Sequence, residues 1–218
     1  MDKSKQYFLT GSGLVVFLVL LVFSARFLQG SETLLTAQNT KIRGPKTAPI
    51  HMVVYSDFQC PACRAALEPV EALRTEFADS VQFEFRHFPL ERPHRWALTA
   101  AGFAECAAAQ DKFWEFHDRL YAEQPTWTVS EDAILTFARY AAELGLNPQK
   151  LSDCLGDPKT LAEIRKERSS GEKKGIQSTP TIFINDHMLV GALQVKEKGR
   201  AIIIEELEKR GIRKPEPK

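Results

Sequence analysis

Two cysteines three positions apart, in Cys60-Pro61-Ala62-Cys63, are the residues of this chain best suited to chemistry. On the first turn of a helix that spacing lets two sulfurs bridge, and the chemistry is thiol–disulfide exchange. Cys60 would sit at the helix N-terminus, where free N–H groups and the macrodipole stabilise a thiolate, so it is the expected nucleophile. Cys63, one turn further in and more buried, is the expected resolving thiol, with Pro61 and Ala62 as supporting residues between them. A C-x-x-C could also be half of a zinc site, which needs two more ligands at matching spacing. Cys106 and Cys154 each stand alone and the five histidines are scattered, so no metal and no cofactor is expected. If Cys60 and Cys63 pair, Cys106–Cys154 completes one of the three connectivities that four cysteines allow. That structural bridge would close a loop of about 49 residues, worth roughly 4 kcal/mol in the chain-entropy model. The competing reading is two separate buried thiols.

The dithiol needs elements to hold it. Pro49 to Tyr55 contains the near-continuous apolar run Met52-Val53-Val54-Tyr55, which predicts a strand buried on both faces. Ser56-Asp57-Phe58-Gln59 then leads into the dithiol and a helix to about Ala78, kinked by Pro69, with Leu67, Val70, Leu73 and Phe77 on one side. Val81 to Phe88 alternates apolar and polar residues, a second strand. From Arg92 to about Lys174 the pattern is helical. Thr128 and Glu131 predict a capping box, and Asn147-Pro148 and Asp157-Pro158 each predict an N-cap followed by N1. In this stretch Phe113, Trp114, His117, Leu120 and Tyr121 form a stripe expected to be core, and Arg165 to Lys174 a solvated charged face. Strands return at Thr181–Asn185 and Met188–Gly191, and a last helix from about Val195 to Arg210 ends at Gly211. The order predicts an α/β layout with a helical insertion between the second and third strands.

Pro180, immediately before the third strand, can occupy only a strand's first residue or an edge. Taken together, Tyr55-Ser56-Asp57-Phe58-Gln59-Cys60-Pro61-Ala62-Cys63 and Ser178-Thr179-Pro180-Thr181-Ile182-Phe183-Ile184-Asn185 resemble the DsbA-like branch of the thioredoxin superfamily. The resemblance covers roughly Pro45 to Gly211. It implies a thioredoxin fold, a cis Thr179–Pro180 peptide packed against the dithiol, and thiol–disulfide exchange on proteins outside the cytosol. Two positions depart from the family pattern. Ala62 stands where a thiolate-stabilising His is found, which points away from the most extreme oxidising poise. Val54 stands where many relatives carry a buried acid, leaving Asp57 or Glu84 as candidate proton acceptors, each weighed against an ordinary surface role.

Composition narrows the setting. With 29 Lys and Arg against 28 Asp and Glu, the chain lacks the basic excess of a nucleic-acid binder. Its 44% hydrophobic content supports a packed core and excludes an acidic disordered chain. Tyr7 to Ala25 is uncharged, with an unbroken apolar run from Leu14 to Phe23 and no good small-x-small cleavage site after it. Residues 1–28 are therefore expected to be an N-terminal transmembrane helix, with a cleaved signal segment as the alternative. Residues 29–47 read as a linker, 48–212 as the DsbA-like domain with its helical insertion over about 91–174, and 213–218 as a basic tail. The expected enzyme is a disulfide-forming oxidase, single-pass with its N-terminus cytoplasmic and its domain periplasmic or otherwise extracytoplasmic. Its expected partners are reduced or misoxidised exported proteins and a membrane or soluble recycling protein. An isomerase or reductase of the same fold, and a redox-silent partner-binding module, are the alternatives.

Overall fold

The computed structural model describes residues 40–212. The expected anchor or signal segment 1–28, most of the linker and the tail 213–218 lie outside the described residues. Among the described residues no helix is long and apolar enough to cross a membrane.

Five strands form one mixed sheet: β1 (Ile42–Arg43), β2 (Ile50–Ser56), β3 (Val81–His87), β4 (Thr181–Ile184) and β5 (His187–Val190), in the order β1-β3-β2-β4-β5. β2 is flanked on both sides, parallel to β3 with Met52 opposite Phe83 and antiparallel to β4 with Val54 opposite Ile182. Its apolar run is the consequence of that central place. β1 lies antiparallel on β3, with Ile42 opposite Glu84, and β5 forms the other edge. The expected linker thus ends in a strand. A two-residue strand in a polar stretch has no periodicity to announce it.

α1 (Pro61–Ala65) and α2 (Leu67–Glu76) take the place of the single kinked helix. The break falls at Ala66, next to the Ala65 carbonyl with which the ring of Pro69 would clash in a continuous helix. α2 and α9 (Gly191–Lys209) cover one face of the sheet: Val70, Leu73, Phe77, Val195, Ile203 and Leu207 pack on Met52, Val54 and Ile184. α9 begins four residues earlier than expected. Gly191, at φ +79°, turns the chain out of β5, and the Val190 N–H donates to Gln194 Oε1 at 3.0 Å.

The helical insertion comprises α3 (Ala97–Ala108), α4 (Phe113–Ala122), α5 (Gln124–Trp127), α6 (Ala133–Glu143), α7 (Pro148–Gly156) and α8 (Pro158–Lys173). Asn147 and Asp157 cap α7 and α8 through their side chains, each followed by Pro at N1. The expected capping box at Thr128 and Glu131 does not form. Thr128 closes α5, and the Asp132 carboxylate caps α6 by accepting from the Ile134 N–H. The insertion's core of Phe103, Phe116, Trp127, Phe137 and Tyr140 runs continuously into Phe58, Cys60 and Cys63, so it supports the dithiol directly. Cys106 of α3 and Cys154 of α7 are disulfide-bonded within it. α8 approaches the sheet so closely that a Cβ on Gly171 would meet the Phe88 ring at 2.8 Å.

Candidate active site

Cys60 is the residue before α1, in extended conformation, with Pro61 at the first helical position. Its sulfur is buried, as is that of Cys63, while Pro61 and Ala62 are exposed above them. Both thiols are free. The Cys60 thiol donates to the Thr179 carbonyl oxygen at 3.4 Å, and Cys63 Sγ accepts from the Asp57 N–H at 3.4 Å. Thr179 and Pro180 are joined by a cis peptide, and Pro180 O accepts from the Gly191 N–H at 2.9 Å. The structure therefore places Cys60, Cys63, Thr179 and Pro180 together, and Cys106–Cys154 apart from them in the insertion.

The two sulfurs differ sharply in acidity. The Cys63 thiol donating to Cys60 is the largest cause of a fall in the Cys60 pKa to about 5. Burial opposes this, and Thr179 with the N–H groups of Cys63 and Ala62 adds to it. Burial, together with the hydrogen bond and charge of Cys60, drives Cys63 well above the ordinary thiol range. At neutral pH the site thus holds Cys60 as a thiolate and Cys63 as a thiol.

Asp57 is the hub of the supporting shell. Its backbone carbonyl accepts from the Cys60 N–H at 3.1 Å while its own N–H donates to Cys63, so it holds both cysteines. Its carboxylate is fully buried and accepts from the Gln59 N–H at 2.7 Å, the Leu90 N–H at 2.8 Å and His94 Nδ1 at 2.8 Å. The surface role weighed for Asp57 is overturned by those three donors, while Glu84 pairs with Arg86 at 2.7 Å. His94 has its pKa raised, chiefly by the hydrogen bond to Asp57 and further by the charges of Asp57 and Cys60. Coulombic attraction is mutual, so the His94 imidazolium favours the Cys60 thiolate in return. His94→Gln should therefore move the alkylation midpoint of Cys60 upward and slow its alkylation near pH 5 about two- to threefold. A pH series of iodoacetamide rates checks this, and an unchanged midpoint would separate His94 from the thiolate.

Two further residues position the site. The buried Gln124 side chain donates to the carbonyls of Phe58 at 2.7 Å and Cys60 at 3.0 Å. These two bonds fix the loop that enters α1. Tyr121 Oη lies 2.7 Å from Ser56 Oγ, next to the dithiol loop. The pattern of α4 marks Tyr121 only as core, and Gln124 and His94 act across 64 and 37 positions of sequence, a range at which no spacing rule operates.

A family model described as Thioredoxin matches residues 36–203. The chain is 33% identical over 162 residues to the Na(+)/H(+) antiporter NhaA 3 of Salinispora tropica, covering 74% of this chain and 24% of that protein. It spans about a quarter of the length of the curated relatives it matches. Among solved structures it is similar to alpha-DsbA1 of Wolbachia pipientis, with a TM-score of 0.66 and 25% identity, over 78% of this chain and 91% of that one. It also shares its fold with oxidised BdbD of Bacillus subtilis, with a TM-score of 0.66 and 23% identity, over 79% and 94% of the two chains. A mixed five-stranded sheet with C-x-x-C just after its central strand, matched by that family over most of its length, places the sequence: the chain belongs to the thioredoxin family.

Proposed function

We propose that the domain is a disulfide-forming oxidase acting on exported proteins, with Cys60 as the sulfur that meets substrate and Cys63 as the sulfur that leaves. The observation that supports this reading is the Cys60 pKa of about 5. A stabilised thiolate lowers the free energy of the reduced state, and a pair whose reduced state is favoured gives up its disulfide readily to other thiols. A substrate thiolate bonds to Cys60 Sγ, Cys63 departs with the electron pair and takes a proton, and a second substrate thiolate then displaces Cys60. The substrate gains a disulfide and the protein is left as the dithiol, which a membrane or soluble partner must reoxidise. The uncharged segment Tyr7 to Ala25 supports an N-terminal tether that places the domain outside the cytosol, the setting in which the Cys106–Cys154 bond persists.

Equilibration with glutathione tests the direction. The expected potential lies between about −120 and −180 mV, the oxidising end of the range for such proteins. A value near the −270 mV of thioredoxin would turn the reading into a reductase. Cys63→Ala should in addition accumulate mixed disulfides between Cys60 and reduced secreted proteins, seen as thiol-sensitive adducts on non-reducing gels.

A further inference from the structure

Cys63 is 2% exposed, yet each exchange cycle removes a proton from it or returns one. When Cys63 resolves a mixed disulfide, its proton leaves, its sulfur bonds to Cys60 Sγ, and the other sulfur departs with the electron pair of the broken S–S bond. In the opposite direction Cys63 is the leaving thiolate and takes up a proton. The family position for a buried acid carries Val54, which cannot accept one.

Val54 and Cys63 both line a cavity of about 310 Å³ between α2, the sheet and α4. This is far more than the ~10–15 Å³ that one water molecule needs. Ser56 lies on its wall with its hydroxyl 2.7 Å from Tyr121 Oη, and it acts to lower the Cys63 pKa against the rise that burial imposes there. His117 and Asp118 of α4 line the same space, with His117 Nδ1 2.7 Å from Asp118 Oδ1. A carboxylate accepts from that nitrogen, so Nδ1 carries the hydrogen and Nε2 is the basic atom of the imidazole. Asp118 is exposed, and Arg43 and Glu71 stand beside it where the cavity meets solvent. We propose that this cavity is the proton path of the resolving cysteine, with Ser56 at its inner end and the His117–Asp118 pair at its mouth.

The pair is suited to the task. Burial lowers the pKa of His117 and keeps it neutral, while the Asp118 carboxylate stands ready to stabilise an imidazolium. The other titratable groups facing His117 are Arg43 from β1 and His87 from β3, both of which disfavour its charged form, and Tyr121, whose ring lies 5.0 Å away. A proton received there is passed on, not stored. In the mixed disulfide Cys60 no longer carries charge, which removes one of the causes that hold Cys63 protonated.

The inference presupposes exchange at Cys60 and Cys63, and one measurement separates the two ideas. Reduced protein mixed with an aromatic disulfide that liberates a coloured thiolate should release it in two phases, the first from attack by Cys60 and the second from attack by Cys63. Asp118→Asn should leave the first phase unchanged and slow the second about tenfold near neutral pH. Added imidazole should restore the second phase of Asp118→Asn, as a merely structural defect would not allow. Raising the pH until hydroxide serves as base should erase the difference. An unchanged second phase in Asp118→Asn, or equal slowing of both phases, overturns the proton path. A parent protein that releases no coloured thiolate overturns the exchange reading itself.

Discussion

Alkylation of the reduced protein by iodoacetamide should titrate with a midpoint near pH 5 at Cys60, while Cys63 stays unmodified through neutral pH. At pH 6 a thiol with a pKa of about 5 is about nine-tenths thiolate, whereas one at the ordinary value of 9.0 is ionised to about one part in a thousand. A lower pKa weakens the intrinsic nucleophilicity of a thiolate by about 40- to 100-fold over this span, so the rate advantage over an ordinary thiol is on the order of 10. Mass mapping after a short pulse at pH 6 should find label on Cys60 alone. Equal labelling of both cysteines would mean that the hydrogen bond from Cys63 to Cys60 does not form.

The same depressed pKa has a consequence for stability whose sign is definite. Folding favours the thiolate, so its contribution is complete above the ordinary thiol titration near 9 and is lost as pH falls through about 5. The disulfide form has no such group. The melting temperature of the reduced protein should therefore fall relative to that of the oxidised protein on acidification from pH 7 to pH 4.

What could be read from the amino-acid order was whatever acts over a few residues. The dithiol, its flanking strand, the proline before β4 and the caps of α7 and α8 are local signals, and each sits where local rules put it. The remainder of the site is assembled by tertiary contact. Asp57 looked like an ordinary strand-end carboxylate because its three donors come from Gln59, Leu90 and His94, two of them on the far side of β3 in the sequence. The stripe on α4 is core as its spacing implies, yet His117 and Tyr121 within it also face the dithiol's cavity. The charged stretch Arg165 to Lys174 is largely solvated, but Glu167 turns inward to a lysine that no local pattern marks as buried.

That lysine carries the second large effect. Lys41 is 2% exposed, and its Nζ lies 2.7 Å from Glu105 Oε2 and 2.6 Å from Glu167 Oε1. It joins the start of β1 to α3 and α8. Glu105 also accepts from His87 Nε2 at 3.2 Å, and Glu167 accepts from the His87 N–H at 2.6 Å. Burial alone would raise the Glu105 carboxyl, but the His87 hydrogen bond and the Lys41 charge hold it at about 2. Burial likewise works against the Lys41 charge, and the two glutamates overcome it. Such a cluster adds little net stability over an apolar replacement of equal shape, but removing one member leaves a buried charge uncompensated. Lys41→Met should therefore cost about 3–5 kcal/mol, a fall in melting temperature on the order of 10 °C for a domain of this size. Lys41→Met combined with Glu105→Leu should cost less than the sum of the two single changes, because the second removes one of the carboxylates that the first leaves unpaired. The contribution of Glu105 is present above the ordinary carboxylate range near 4.5 and lost as pH falls through about 2, so the penalty of Lys41→Met should shrink in strong acid. Denaturant melts of the three variants at pH 7 and pH 2 measure all of this. Strict additivity at pH 7 would show that Lys41 and Glu105 are not coupled. The alkylation midpoint of Cys60 should stay near pH 5 in folded Lys41→Met, because none of the groups that set it belongs to this cluster.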